Sequence, residues 1–140
     1  MINRLNKHVR LFYKENPYVE LLNISVAELR EGCVVLSMPV EEKHCNFYKV
    51  AHGGALMSLA DTAMGAACLS CNKKVVTLSF DMNFIKSAPV GTMIKATGKV
   101  IHNGRHTMVC ETEFTNSDGV LFCRASGTFY VLGELLPENS

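Results

Sequence analysis

The chain has 140 residues, which is the size of one typical domain and suffices for one hydrophobic core but not for two. Its 48% apolar and 19% charged residues are typical of a globular and not of a disordered chain. The formal net charge of +1 gives no electrostatic footprint for nucleic acid or for an anionic membrane surface. We therefore expect a single domain over residues 1–140 without a nucleic-acid partner.

The N-terminal segment predicts a helix over residues 3–15 that packs on the surface of the domain. Its apolar residues recur at helical spacing as one stripe: Leu5, Val9 and Phe12. Asn16-Pro17 ends this helix, because the residue before a proline is displaced from helical geometry. The segment lacks the apolar core and the small-residue cleavage site of a signal peptide, so we expect a cytoplasmic protein.

Two strands are predicted next, over residues 19–30 and 33–40, with a tight turn at Glu31-Gly32 between them. After a polar loop, the stretch between Lys49 and Lys73 is apolar, rich in small residues, and carries Asp61 as its one formal charge. It predicts a long helix over about 53–70. The stretch is long enough to span a bilayer, but Asp61 would then lie near mid-membrane at a high cost, so we expect a buried core helix.

From residue 75 the pattern changes to strict alternation, which is typical of a strand. One face is apolar (Val76, Leu78, Phe80, Met82, Phe84) and the other is polar (Thr77, Ser79, Asp81, Asn83). Further strands are predicted over 92–102, 105–115 and 120–132, followed by a loose tail over 133–140. Asn103-Gly104 predicts a two-residue type I′ hairpin, and residues 116–119 predict another turn.

This order of elements predicts an α+β fold in which an antiparallel sheet of five to six strands wraps around the long helix, the hot-dog architecture. The four strands after the helix are expected to form a meander. The helix carries no charge except Asp61, so it has to be covered by the sheet.

Asp61 is the first candidate for chemistry, because its neighbours on the helix surface are apolar or small: Met57, Met64, Gly65 and Cys68. Burying a carboxylate costs several kcal/mol unless it is hydrogen-bonded, and a functional site is one common reason to accept that cost. The alternative is an aspartate that bonds a nearby backbone or hydroxyl group and only fixes the fold. The residues alone leave both interpretations open.

His52-Gly53-Gly54 opens the predicted helix. Two glycines allow a ligand to approach the backbone closely, and the first N–H groups of a helix have no intrahelical partner. Such an end is suited to hold an oxyanion. A lone histidine at this place is more often a capping or packing residue, and both interpretations of His52 stay open.

The six cysteines are interpreted as free thiols, since nothing indicates secretion. A redox pair at Cys68-x-x-Cys71 is an alternative to two small apolar residues near a helix end. A zinc site would need a second pair of ligands at suitable spacing, and the sequence offers none, so no metal and no cofactor are expected.

The combination of Asn46, His52-Gly53-Gly54, Asp61 and Ser79 resembles the PaaI-type acyl-CoA thioesterases of the hot-dog superfamily. The resemblance covers residues 19–132, and its signature is N-x5-HGG-x6-D followed by a strand that bears S-x-D-x-N. The turn at Gly104-Arg105 also resembles the family's Gly-Arg turn between late strands.

The resemblance implies hydrolysis of acyl-CoA thioesters without metal or cofactor. It assigns the catalytic carboxylate, as general base or as nucleophile, to Asp61. It assigns polarisation of the thioester carbonyl to the backbone N–H of Gly53. Asn46 would orient substrate or water, and the hydroxyl of Ser79 would help to position the attacking water.

The same resemblance implies a site shared by two chains of a homodimer or a homotetramer, with Asn46 and Gly53 of one subunit facing Asp61 and Ser79 of the other. Residues 52 and 61 lie roughly 13 Å apart along one helix, which agrees with a two-chain site. Further substrate-binding candidates are His52 and Gly54 beside the oxyanion position, and Lys86, Gly104 and Arg105 for the CoA phosphates. The alternative for Lys86 and Arg105 is that each is a solvated surface charge without a phosphate contact.

Two other functions are considered: a hot-dog hydratase or dehydratase with a catalytic histidine, and a non-catalytic acyl-CoA binder. The distance between His52 and Asp61 along the helix argues against the first, and the acid in an otherwise apolar site argues against the second. The acyl group, the dimer or tetramer state and the choice between base and nucleophile stay open.

Overall fold

A computed structural model describes residues 2–137, without the side chain of Ile2. The elements in chain order are α1 (Ile2–Lys14), α2 (Pro17–Leu21), β1 (Ser25–Arg30), β2 (Cys33–Pro39), a short 3-10 turn (Glu42–His44), α3 (Gly53–Ser70), β3 (Lys73–Phe84), β4 (Met93–Asn103), β5 (Thr107–Thr115) and β6 (Leu121–Glu134). Within residues 2–137 no helix is long and apolar enough to cross a membrane.

The described strands form one antiparallel sheet of six in the order β1-β2-β4-β5-β6-β3. The α+β hot-dog fold is therefore confirmed, with α3 packed across the strands. The expected four-strand meander is wrong in one respect: only β4, β5 and β6 follow one another, and β3 pairs with β6 at the far edge. The reason is that α3 carries the chain across the sheet, so β2 pairs with β4 and not with β3.

The helix and the sheet approach each other most closely where α3 crosses β4. A β-carbon added at Gly98 would collide with the carbonyl oxygen of Ala63 and would lie 2.7 Å from the carbonyl carbon. The small residues of α3 that face the sheet are fully buried: Ala60, Ala63, Ala66 and Ala67. Small side chains on the helix and a missing one on the strand therefore set the depth at which α3 lies in the sheet.

The alternation of β3 is interrupted, and this corrects the predicted faces of the strand. Thr77 pairs with Phe129 of β6 while Ser79 pairs with Thr128, so Leu78 is the extra residue of a bulge. After the bulge, Phe80 packs over Gly127 on the apolar face of the strand. Val76 and Leu78, which were predicted on the same face, are exposed. A bulge shifts the side-chain period by one residue, and a repeating sequence pattern does not reveal it.

Two other predictions near the N-terminus need correction. Residues 19–21 belong to α2 and not to a strand, because the side chain of Asn16 caps that helix and Pro17 occupies its first turn. In α1 the buried stripe is Leu5, Val9 and Tyr13, while Phe12 is 48% exposed. The stripe follows the i, i+4, i+8 spacing and turns Tyr13 towards α3.

The turns and the tail are only partly as predicted. Gly32 and Gly119 have positive φ, as the two predicted turns require. The β4–β5 connection is not a type I′ turn at Asn103-Gly104, since neither residue has positive φ, and the N–H of Gly104 bonds to the carbonyl of Thr107. The predicted loose tail is held in place as far as Leu136. The backbone N–H and carbonyl of Leu136 both form hydrogen bonds with the side chain of Asn72. Residues 138–140 lie outside the described part.

Gly98→Ala is expected to lower the free energy of unfolding by about 2 kcal/mol, because the added methyl group forces α3 away from β4. Denaturant unfolding measures the effect. Gly65→Ala is the matched control, since it lies in the helix itself with no neighbour nearer than 4.0 Å to an added β-carbon, and it should stabilise by about 0.5–1 kcal/mol. Equal stability of Gly98→Ala and wild type would contradict this account.

Candidate active site

Asp61 lies in the middle of α3 and is half-buried. Its Oδ1 accepts a hydrogen bond of 2.6 Å from the hydroxyl of Thr77 in β3. The carboxylate is less covered than the sequence predicts, because the side of α3 that bears Met57, Asp61 and Gly65 is not covered by the sheet within this chain. A carboxylate held at one oxygen keeps the other one free to act on a ligand.

Thr77 is the residue that the sequence analysis missed. Within residues 2–137 the side chain of Ser79 makes no hydrogen bond, and its strand position pairs with Thr128 on the other side of the bulge. The strand hydroxyl beside Asp61 in this chain is therefore that of Thr77, and the assignment to Ser79 finds no contact here. The bulge at Leu78 is the physical reason, since without it the polar face would run through Thr77 and Ser79 together.

The carboxylate opens into a cavity of about 210 Å³ between α1, α2, α3 and the sheet, the Asp61 cavity. Its lining includes Tyr13, Tyr18, Asp61, Gly65 and Thr77. A second cavity of about 270 Å³ shares four lining residues with it and continues to four more. The shared residues are Phe12, Tyr13, Gly65 and Val75, and the further ones are Leu69, Lys74, Leu132 and Leu135. We call this second, mainly aliphatic space the apolar cavity.

Gly53 lies at the first turn of α3 and faces a different space. The side chain of His52 caps the helix, and its Nδ1 accepts a hydrogen bond of 2.8 Å from the N–H of Gly54. Within residues 2–137 the N–H of Gly53 has no acceptor, so it is free for an oxyanion, whereas the N–H of Gly54 is not. The Gly53 cavity has about 310 Å³ and is lined also by Phe84 and Lys86.

Asn46 holds the loop that leads into α3. Its Oδ1 accepts hydrogen bonds from the N–H groups of Tyr48 at 2.9 Å and Val50 at 3.4 Å, and its own N–H bonds to the carbonyl of Val50. The carboxamide oxygen is therefore used within the loop, and the carboxamide nitrogen has no partner within residues 2–137. The substrate role of Asn46 stays a prediction.

The two predicted phosphate-binding cations lie at opposite ends of the sheet. The N–H of Lys86 bonds to the carbonyl of Phe122 at the start of β6, whereas the turn with Arg105 is bonded through His106 to Val131 near its end. Nine strand residues separate these two points, which is about 30 Å. Gly104 is needed at this turn for a steric reason, since a β-carbon there would lie 2.6 Å from the carbonyl oxygen of Thr107.

The sulfur of Cys68 contacts that of Cys110 in β5 at 3.4 Å, across the buried contact between helix and sheet. The described cysteines are free thiols. The hydrogen bond from Cys68 and burial raise the pKa of Cys110, and burial raises the pKa of Cys71. Cys68 thus packs against a strand, and the geometry gives no support to a redox pair with Cys71.

The arrangement consists of two half-sites on one helix. The N–H of Gly53 and the carboxylate of Asp61 are eight residues apart, which is about 12 Å along the axis, and they line separate cavities. A single carbonyl group cannot contact both within one chain. Within residues 2–137, neither half lies beside the other.

Comparison with known proteins agrees with this architecture. Residues 48–123 match the family model of the thioesterase superfamily. The chain is similar to the acyl-coenzyme A thioesterase PaaI of Escherichia coli, with 30% identity over 116 residues that cover 83% of each chain. The E. coli PaaI structure superposes with a TM-score of 0.89 and 27% identity, over 94% of this chain and 96% of that one.

A hypothetical thioesterase from Streptococcus pneumoniae, solved with coenzyme A, is similar at 32% identity with a TM-score of 0.78, over 80% of this chain and 88% of that one. Variants of the S. pneumoniae thioesterase, with either an aspartate or a threonine replaced by alanine, have also been solved, and the two positions are 16 residues apart. The match over residues 48–123 and the similarity to PaaI show the family. The chain belongs to the thioesterase superfamily and is a hot-dog thioesterase of the PaaI type.

Proposed function

We propose that the protein hydrolyses acyl-CoA thioesters to the free acid and CoA, with Asp61 as the catalytic carboxylate. The observation that carries the proposal is the hydrogen bond between Asp61 and Thr77, two residues that are 16 positions apart. The aspartate and the threonine replaced in the S. pneumoniae thioesterase have the same spacing. The similarity to an acyl-coenzyme A thioesterase and to a thioesterase solved with coenzyme A supports CoA as the carrier of the acyl group.

In the proposed reaction, Thr77 holds Oδ1 of Asp61 and so directs Oδ2 towards the thioester carbonyl. Asp61 either takes a proton from the attacking water or attacks the carbonyl carbon itself. The N–H of Gly53 stabilises the charge that develops on the carbonyl oxygen, which in well-studied enzymes is worth roughly 3–4 kcal/mol of the barrier. The carbon–sulfur bond then breaks, and the CoA thiolate leaves and takes up the proton removed from water. If Asp61 attacks directly, water hydrolyses the resulting acyl-aspartyl anhydride and so releases the acid and the free carboxylate.

We propose further that the site is shared by two chains, with Asn46 and Gly53 of one subunit and Asp61 and Thr77 of the other. The separation of the two half-sites supports this arrangement. So does β3, a strand of 12 residues at the edge of the sheet. Its unpaired edge exposes apolar side chains, among them Leu78 with 57% of its surface. Long apolar edges are normally covered, and two β3 strands related by a twofold axis would cover each other.

Lys86 is the cation that we place beside the CoA phosphates, since it lines the same cavity as Gly53. Arg105 lies about 30 Å away in the same chain, so it would reach a phosphate only from the partner subunit. His52 and Gly54 bond to each other, and we therefore assign them to the shape of the oxyanion position and not to direct substrate contact.

A hydratase with His52 as its base fits the geometry less well. Nδ1 of His52 already accepts a hydrogen bond from the N–H of Gly54. The ring lies at the start of the helix, roughly 13 Å along the axis from Asp61. A non-catalytic acyl-CoA binder would need neither Asp61 nor its bond to Thr77. The following experiments separate these functions from a thioesterase.

Asp61→Asn is expected to lower thiol release from acyl-CoA substrates by about 10²–10⁴-fold, because the amide cannot accept the proton or attack the carbonyl. A panel of acyl-CoAs of different chain length, assayed with a thiol reagent, measures the loss. Hydration of an enoyl-CoA without thiol release would favour the hydratase. Tight acyl-CoA binding without turnover by the wild type would favour the binder.

Thr77→Val is expected to lower kcat about 10–100-fold, since a hydrogen bond to a charged group contributes about 1.5–3 kcal/mol. Thr77→Ser keeps the hydroxyl and should retain most of the activity. Ser79→Ala is the matched comparison two residues away, with a smaller expected effect. A larger loss in Ser79→Ala than in Thr77→Val would return the role of positioning the water to Ser79.

Mixing two inactive variants tests the shared site. Asp61→Asn and Gly53→Val are each expected to be inactive alone. After the two variants are unfolded and refolded together, about half of the dimers are mixed, and each mixed dimer contains one intact site out of two. The mixture is therefore expected to recover about one quarter of wild-type activity. Activity assays with sedimentation of each sample provide the measurement. A stable active monomer, or mixed dimers without any recovery, would contradict the shared site.

A further inference from the structure

Tyr13 presents a hydroxyl group to the Asp61 cavity that the proposed reaction does not use. It lies in the last turn of α1 and is 7% exposed. Within residues 2–137 its hydroxyl makes no hydrogen bond. Among the described residues only Thr112 has a fully buried side-chain oxygen without a partner. The Tyr13 hydroxyl therefore reaches the space of the cavity that it lines and is free to bond a ligand there. Tyr18 lines the same cavity and offers a contrast, because its hydroxyl bonds to that of Ser58 at 2.7 Å.

The Tyr13 hydroxyl lies beside Gly65, one helical turn after Asp61. A β-carbon built on Gly65 would lie 4.0 Å from the hydroxyl oxygen. Tyr13 and Gly65 line both the Asp61 cavity and the apolar cavity, so they lie where the two spaces adjoin. Gly65 adds no side chain at this point.

The surroundings keep the hydroxyl protonated. Burial raises the pKa of Tyr13, and the negative charge of Asp61 acts in the same direction. The group is therefore a neutral hydrogen-bond donor next to a mainly aliphatic space. A saturated hydrocarbon in that space would leave the donor unpaired, and a group with an acceptor oxygen would pair it.

We infer that the acyl group of the substrate extends from Asp61 along α3 under α1, and that the hydroxyl of Tyr13 selects acyl groups that carry an acceptor oxygen at that depth. This inference rests on the proposed thioesterase function. Four residues of helix separate Asp61 from Gly65, which is about 6 Å. A carbon chain with bonds of about 1.5 Å advances about 1.3 Å per bond in zigzag form. The preferred oxygen therefore lies about four to five bonds beyond the thioester carbonyl.

The class of substrate is accordingly an oxo- or hydroxyacyl-CoA and not a plain fatty acyl-CoA. A polar group that a bound ligand shields from water discriminates against a ligand without the matching group, because the protein group then stays unpaired. Tyr13 is on this view a specificity-determining residue, contributed by the N-terminal helix and not by the central one.

The test compares three CoA thioesters of equal chain length: hexanoyl-CoA, 5-oxohexanoyl-CoA and 3-oxohexanoyl-CoA. Thiol release gives kcat/KM for each. In the wild type, kcat/KM for the 5-oxo substrate is expected to exceed that for hexanoyl-CoA by about tenfold or more. The 3-oxo group lies too close to the thioester carbonyl to reach Tyr13, so it serves as the control for added polarity alone.

Tyr13→Phe removes only the hydroxyl and is expected to reduce the ratio of the 5-oxo to the unsubstituted substrate to near one. Tyr18→Phe removes a hydroxyl from the same cavity and should keep the ratio. Equal kcat/KM of the wild type for these two substrates, or an unchanged ratio in Tyr13→Phe, would overturn the role of Tyr13 while the thioesterase proposal stands. No thiol release by the wild type from any acyl-CoA would overturn the proposed function itself.

Discussion

The contact between α3 and β4 is the constraint on which the rest of the structure depends. At Gly98 the strand has no side chain, and the backbone of the helix at Ala63 occupies the space that one would fill. Four alanines of the helix lie against the sheet with no exposed surface: Ala60, Ala63, Ala66 and Ala67. This close approach fixes the depth and the rotation of α3, and therefore the direction in which each of its polar groups points.

The rotation of α3 leaves one of its sides uncovered, and that side carries the residues to which we assign the reaction. Asp61 and Gly65 lie on it, with the bond from Thr77 at one oxygen of the carboxylate. At the start of the same helix, His52 uses the N–H of Gly54 and leaves that of Gly53 without an acceptor. One helix thus carries the proposed catalytic carboxylate and the proposed oxyanion donor at a fixed separation. They face different cavities, and this separation is the reason for proposing a site completed by a second chain.

The N-terminal helix is more than a surface addition to this core. Its buried stripe seats it against α3, and its last turn brings Tyr13 to the wall of the Asp61 cavity. In our proposal, α1 selects the acyl group, while α3 and β3 supply the residues of the reaction. Separate elements for reaction and selectivity would allow the acyl preference to change through α1 without any change at the carboxylate.

Local patterns in the sequence were sufficient for the architecture. The charge-poor stretch with small residues predicted α3 with the observed bounds of Gly53–Ser70, and turn residues at Gly32 and Gly119 placed two of the strand connections correctly. Residues 52–54 and 61 were predicted as the parts of a site from helix-end chemistry and from one acid among apolar neighbours, together with the resemblance to a family. These features are local, so that spacing along the chain is enough to detect them.

Only the tertiary structure decided which hydroxyl meets the carboxylate and where β3 lies. The bulge at Leu78 moves the contact from Ser79 to Thr77, and a two-residue alternation contains no sign of a single extra residue. The placement of β3 beside β6 follows from the path of α3 across the sheet, which is a long-range property.

The sequence analysis placed Phe12 and not Tyr13 in the buried stripe of α1, because both residues fit an apolar helix face. Only packing against α3 distinguishes them. The sequence by itself determined the kind of fold and the two half-sites, whereas side-chain partners across the helix and the sheet depended on register and packing depth, which no local pattern encodes.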